Sequence, residues 1–314
     1  MGEYVFGVVV FIVLIAIVAG LIYLSSKSGE FRIDRQGKVA ATVNGEDITT
    51  AYLDDQYGRV PAEYRTVITK TTLLNQTINE VILLQEAESK GIAVSEEDVT
   101  QEIENAMATA GISADDLDER LAEQNITREY LEDLYLKQLT INALLEAVVF
   151  EKISVTESDI AEFYDSRIRA MHILVESEPE AMSIIDDLKR VSLGDIEDKF
   201  SEMATELSTD PSAEVNGGDL GEFGRGQMVP DFEKAAFALE EYAFTAEPVQ
   251  TQFGYHVILR LPKEQSLDEQ YSAIEELLLT QKKAQAVPLY VDQLRSKSEV
   301  EIFFEEAPAA SAEV

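Results

Sequence analysis

The sequence contains no cysteine, only two histidines, and 25 basic residues against 60 acidic ones. Without cysteine there is no disulfide framework, no thiolate nucleophile and no lipid-bearing cysteine. Two histidines leave a His/Cys metal cluster short of a third ligand, so neither a metal nor a cofactor is expected. A formal charge of −35, with no clustered Lys/Arg stripe, argues against nucleic acid, because phosphate contacts need concentrated positive charge. Nor does any serine lie on the sharp strand-to-helix turn that a hydrolase nucleophile requires.

What is present suits two modest domains: 314 residues, of which 46% are apolar. Residues 4–24, YVFGVVVFIVLIAIVAGLIYL, carry no charge and at about 1.5 Å per residue would match one bilayer core as a helix. The preceding MGE lacks the positive charge of a cleavable signal peptide, so 1–27 is expected to be a transmembrane signal-anchor with its flank. Residues 28–38 form a polar tether. Lys27, Arg32, Arg35 and Lys38 follow the span, which by the positive-inside rule would leave the body in the cytoplasm.

Beyond the tether, VAATVNGEDIT (39–49) has the alternation and Asn-Gly turn of a hairpin. The pattern to residue 165 is helical. Residues 66–90 place Leu74, Ile78, Val81, Ile82 and Gln85 along one side and stop at Gly91. Ser95–Asp98, Ser113–Asp116 and Thr156–Asp159 resemble capping boxes and mark helix starts. A small α/β unit spans 166–262: the strand RAMHILV, helices near 178–191 and 195–208, a glycine-rich loop, a helix over 229–239, and the strands PVQT and GYHVILRL. Residues 263–303 are expected to form two helical pieces, broken or kinked at Pro288, that pack back on 39–165. Residues 304–314 read as a disordered tail.

His172 and His256 lie in short apolar strands of the α/β unit. Each alone suits a hydrogen-bonded core position. Two in one small sheet could instead meet, since paired neutral imidazoles donate and accept hydrogen bonds and can shape a pocket floor. Thr209 and Asp210, in STDPSA, sit near them by inference. The loop GGDLGEFGRG (217–226) is no phosphate cradle, because it lacks both G-x-G-x-x-G and the G-K-[ST] ending.

Three ordered blocks, RAMHILV, FSEMATELSTDPSAEVNGGDLGEFGRGQMVPDFEKAAFAL and EPVQTQFGYHVILRL, resemble a parvulin-type peptidyl-prolyl cis-trans isomerase domain over 169–261. Residues 39–165, with their NGE-x-I-T hairpin and helices, more weakly resemble the N-terminal region of the SurA/PrsA class of parvulin chaperones. The resemblance implies an α+β fold: a small antiparallel sheet with surrounding helices, inserted in a helical chaperone domain, here preceded by the transmembrane helix. It implies isomerisation of X-Pro bonds in unfolded or nascent secreted and membrane proteins, combined with chaperone activity. His172 and His256 become the family's paired histidines, and Asp210 the polar residue facing the prolyl amide. Leu220, Met228 and Phe232 become the proline pocket, bordered by Phe253 and Thr209.

The stretch ESEPE (176–180) is acidic where phosphate-directed relatives are basic, so no phospho-Ser/Thr preference is expected. The group's membrane-bound members act outside the cytoplasmic membrane, and against the charge rule the body is placed there, on a single-pass anchor. The long helices also allow a homodimer. The alternative function is a weak or inactive isomerase acting as a holdase for unfolded chains.

Overall fold

The computed structural model describes residues 37–305, apart from positions 66 and 125. They divide into two compact units, one formed by the chain up to Ser154 with the chain from Leu279 onward, the other by Val155–Leu278.

The first unit begins with the hairpin β1 (Val39–Val43) and β2 (Glu46–Thr49), paired antiparallel. Asn44 and Gly45 turn the chain with φ of 50° and 85°, the left-handed pair that matches strand twist in a two-residue turn. Thr49 ends β2 and caps α1 (Thr50–Arg59), its hydroxyl accepting from the Tyr52 amide. Four further helices follow: α2 (Lys70–Ser89), α3 (Glu96–Ala110), α4 (Ala114–Glu123) and α5 (Arg128–Val148). Ser95 with Asp98 and Ser113 with Asp116 form the reciprocal capping boxes that start α3 and α4. Leu74, Ile78, Val81 and Ile82 of α2 pack on Ala41, Val43 and Ile48 of the hairpin and on Leu144 of α5.

The second unit opens with α6 (Glu157–Asp165), capped by the Thr156–Asp159 box, and β3 (Arg167–Val175). Next come α7 (Glu178–Leu188), α8 (Ile196–Leu207) and the short α9 (Ala213–Asn216). Then β4 (Asp219–Gly224), α10 (Pro230–Ala238), β5 (Val249–Thr251) and β6 (Gly254–Leu261) complete it. The sheet is antiparallel throughout, in the order β4-β3-β6-β5. Alternation assigns its faces. Met171, Ile173 and Val175 with Val257, Leu259 and Leu261 bury against α7 and α8. Ile168, Ala170 and Ile258 bury on the other face, with Phe232 and Ala236 of α10.

The glycine-rich stretch is not wholly a loop: Asp219–Gly224 is an edge strand. Its Asp and Gly residues disfavour strand by propensity, but pairing with β3 overrides them. Gly218 sits just ahead of it with φ of 83°, and a Cβ there would come within 2.4 Å of the His172 carbonyl oxygen, so only glycine lets the two backbones approach.

The C-terminal segment also differs from expectation. It is one continuous helix, α11 (Leu267–Arg295), with Pro288 inside it, followed by a strand, β7 (Val300–Ile302). Tyr290, Val291 and Leu294, within two turns past the proline, pack in the core of the first unit, and Arg295 donates to Asn75 and Asn79 at 2.8 Å each. That anchoring offsets the backbone hydrogen bond that an interior proline removes. β7 pairs antiparallel with β1, giving a three-stranded sheet in the order β2-β1-β7.

The expectation of a transmembrane anchor requires correction. Among the described residues no helix is long and apolar enough to cross a membrane. The physical reason is plain in the long helices: α2 carries Lys70, Glu80, Glu86 and Glu88, and α11 carries acids and bases along its length. Residues 4–24, on which the expectation fell, lie outside the described residues, as do the start of the tether and positions 306–314 of the tail. A preceding membrane helix, attachment through it, single-pass topology and the extracytoplasmic placement are therefore not supported by the structure.

Candidate functional site

His172 and His256 meet. Opposite His172 across the β3–β6 ladder stands Ile258, and opposite Leu174 stands His256, which makes the histidines diagonal neighbours on one face. Their Nδ1 atoms are 3.2 Å apart, their rings stack at 5.4 Å, and both residues are buried. A second diagonal follows from the β5–β6 register, where Val249 faces His256, so that Thr251 reaches His256 Nε2 at 2.8 Å.

Asp210 arrives from the loop after α8. That loop covers the edge of β3 beyond the end of β4: the Leu174 amide donates to Ser208 Oγ, and the Leu174 carbonyl accepts from the Thr209 amide and hydroxyl. Asp210 Oδ2 then lies 2.8 Å from His172 Nε2, while Oδ1 accepts from the Ser212 amide and hydroxyl at 2.9 Å each.

With both imidazoles neutral, as their lowered pKa values favour, one proton order satisfies this chain. An ionised carboxylate accepts only, so His172 must carry its proton on Nε2 and present Nδ1 as an acceptor. His256 then donates from Nδ1 and accepts at Nε2 from the Thr251 hydroxyl, whose oxygen accepts from the Phe253 amide. Burial pushes the pKa of His172 down against the pull of Asp210, and burial followed by repulsion from His172 pushes His256 down to about 4. The Asp210 carboxyl lies below its ordinary range, chiefly because the Ser212 amide donates to it.

Above the histidines is an apolar wall. The Phe232 ring meets both imidazoles edge-on, 5.9 Å from His172 and 5.2 Å from His256, and is itself buried. Leu220 and Met228, half-buried, pack against the same cluster. Phe253 is 62% exposed at the tip of the β5–β6 hairpin, and the Thr209 hydroxyl is committed to backbone rather than turned to a ligand. Thr251 and Ser212 were not singled out from the sequence. Ser212 lies two residues from Asp210, an Asx-turn spacing that could have signalled it; Thr251 depends on strand register.

One face of the small sheet thus carries paired histidines, a carboxylate and an apolar wall, and comparison with known proteins gives the family of the domain that holds them. The model of the PPIC-type PPIase (rotamase) domain matches residues 172–261, and that of the SurA-like N-terminal domain matches residues 2–145. The foldase protein PrsA of Halalkalibacterium halodurans is 31% identical over 258 residues, spanning 78% of this chain and 71% of the relative. That of Caldanaerobacter subterraneus is 30% identical over 326 residues, spanning 94% and 96%. Among solved structures, PrsA from Bacillus anthracis shares 28% identity, covers 72% of this chain and 94% of its own, and gives a TM-score of 0.38. The chain belongs to the parvulin/PrsA-like family of peptidyl-prolyl isomerase chaperones. Its function is that of a parvulin-type peptidyl-prolyl cis-trans isomerase and foldase.

Proposed function

We propose that catalysis occurs where the His172–His256–Asp210 chain meets Leu220, Met228 and Phe232, and that it is non-covalent. The single observation that carries this is the continuous hydrogen-bonded chain from Thr251 to Asp210 beneath the Phe232 ring.

Rotation about an X-Pro bond breaks no bond; its barrier of about 20 kcal/mol is the loss of amide conjugation. The planar amide carries negative charge on oxygen and positive charge on nitrogen, and the twisted amide loses that polarity. Leu220, Met228 and Phe232 give the proline ring an apolar seat that excludes water, which favours the less polar twisted form. The Asp210 carboxylate, 25% exposed, sets a negative potential beside the carbonyl oxygen, raising the planar form relative to the twisted one. The neutral histidines hold Asp210 ionised and aimed without introducing a competing positive charge.

Clients are unfolded or partly folded polypeptides containing X-Pro. Glu176, Glu178 and Glu180 follow β3, with Glu180 accepting from the Ser177 amide and hydroxyl, so this loop repels a phosphorylated client.

Cis/trans exchange of a panel of X-Pro peptides by the full chain tests the assignment. Asp210→Ala and Met228→Ala should each lower kcat/KM roughly tenfold or more, the loss of at least about 1.4 kcal/mol of transition-state stabilisation. Acceleration that survives both changes places the reaction elsewhere.

A further inference from the structure

A groove of about 420 Å³ lies beside the proline pocket, between the turn after β4 and the outer face of α10. Pro230, Lys234, Phe237 and Ala238 recur at helical spacing along that face, while Phe232 and Ala236 of the same helix point into the core. Met228 belongs to both places: it lines the groove and packs on the cluster around Phe232. A chain whose proline rests on Met228 therefore continues into the groove within about three residues, at roughly 3.3 Å per extended residue.

The groove's charge runs opposite to that of the whole protein. Acids outnumber bases 60 to 25 in the sequence, yet two of the lining residues, Arg225 and Lys234, are cationic and Glu233 alone is acidic. Glu233 is already committed, accepting from the Gly226 amide and facing Arg225 at 3.8 Å. Arg225 is 66% exposed and lines the groove with its guanidinium carbon over the Phe237 ring, 4.2 Å from its centre. Lys234 is also exposed.

We propose that this groove is a client subsite selecting acidic flanks: an apolar side chain beside the proline rests on Met228 and Phe237, and a neighbouring carboxylate pairs with Arg225 and Lys234. The inference rests on the isomerase assignment of the adjoining pocket. It gives the enzyme a preference that the acidic loop after β3 does not supply.

The test uses the full chain and peptides identical except for Glu, Gln or Lys placed two or three residues from the proline on either side. Both kcat/KM and the Kd from fluorescence anisotropy are measured. The Glu peptide should exceed the Lys peptide by about fivefold at low salt, with the ratio falling toward one in about 0.5 M salt. Arg225→Gln with Lys234→Gln should abolish the ratio. A control, Lys189→Gln with Lys199→Gln, removes the same two charges from the α7 and α8 side of the sheet and should keep it. A ratio near one in the wild type, or one unchanged by the Arg225/Lys234 double variant, overturns the subsite. Tighter binding of the Glu peptide without acceleration of any peptide keeps the subsite and overturns the catalytic assignment of the pocket. Equal binding with no acceleration overturns both.

Discussion

His256 is the residue on which the site's pH behaviour turns. Its pKa falls from an ordinary 6.5 to about 4, through burial first and the neighbouring His172 second, with Asp210 opposing. Between those values the unfolded chain binds a proton that the folded site refuses. Stability is therefore full above pH 6.5 and declines as the pH falls toward 4. Asp210 acts in a separate window: its lowered pKa stabilises the fold above its ordinary 3.8, and that contribution is lost only below it. Urea unfolding at about pH 7, 5.5 and 4.5 should show the decline in the wild type and a shallower one in His256→Gln. Equal slopes in the two proteins would mean that His256 charges freely in the folded state. The histidines were legible in the sequence because there are only two and both sit in short apolar strands. Their partner Thr251 was not, because which hydroxyl reaches His256 is decided by hairpin register and not by spacing along the chain.

Among the elements, β7 shows what a three-residue strand contributes. The Asn44 amide donates to the Glu299 carbonyl, and the Phe303 and Phe304 amides donate to the Ala40 carbonyl. Val300 and Phe304 pack on the hairpin core. A chain truncated after Lys297 exposes the edge of β1 and releases both side chains. It should lose roughly 2–3 kcal/mol in the first unit, read as a lower urea midpoint. An unchanged midpoint would show that the hairpin core is complete without β7. Neither β7 nor β4 was legible in the sequence. VEI is too short to display alternation, and DLGEFG reads as turn chemistry until a neighbouring strand imposes extension on it. The capping boxes at Ser95, Ser113 and Thr156 were legible because a box is local, closing within four residues.

At the scale of the whole molecule, the charge of −35 opposes compaction. Ion pairs between two exposed side chains, such as Arg128–Asp118, Lys189–Asp186 and Arg190–Asp187, contribute little individually. Arg169 differs in number of partners: its largely covered guanidinium gathers Asp219 at 2.6 Å, Glu264 at 3.2 Å and Glu197 at 3.5 Å. Added salt should screen the general repulsion more than it weakens these few pairs. The unfolding midpoint should rise from low ionic strength to about 0.5 M salt, by roughly 2–4 °C per kcal/mol relieved. A midpoint that falls would mean that surface pairing outweighs repulsion.

The pairing of β1 with β7 also sets an order of events during synthesis. The second unit is one uninterrupted run of chain, Val155–Leu278, and has all its strands once that run has emerged from the ribosome. The first unit must wait. The amide of Asn44 bonds to Glu299, a partner made 255 residues later, so one edge of β1 stays unpaired while everything between is translated. A growing chain thus carries a finished proline-isomerising unit before its own first unit can close. The long gap between β1 and β7 is by then shortened by a folded segment, which lowers the entropy lost in bringing the two ends together.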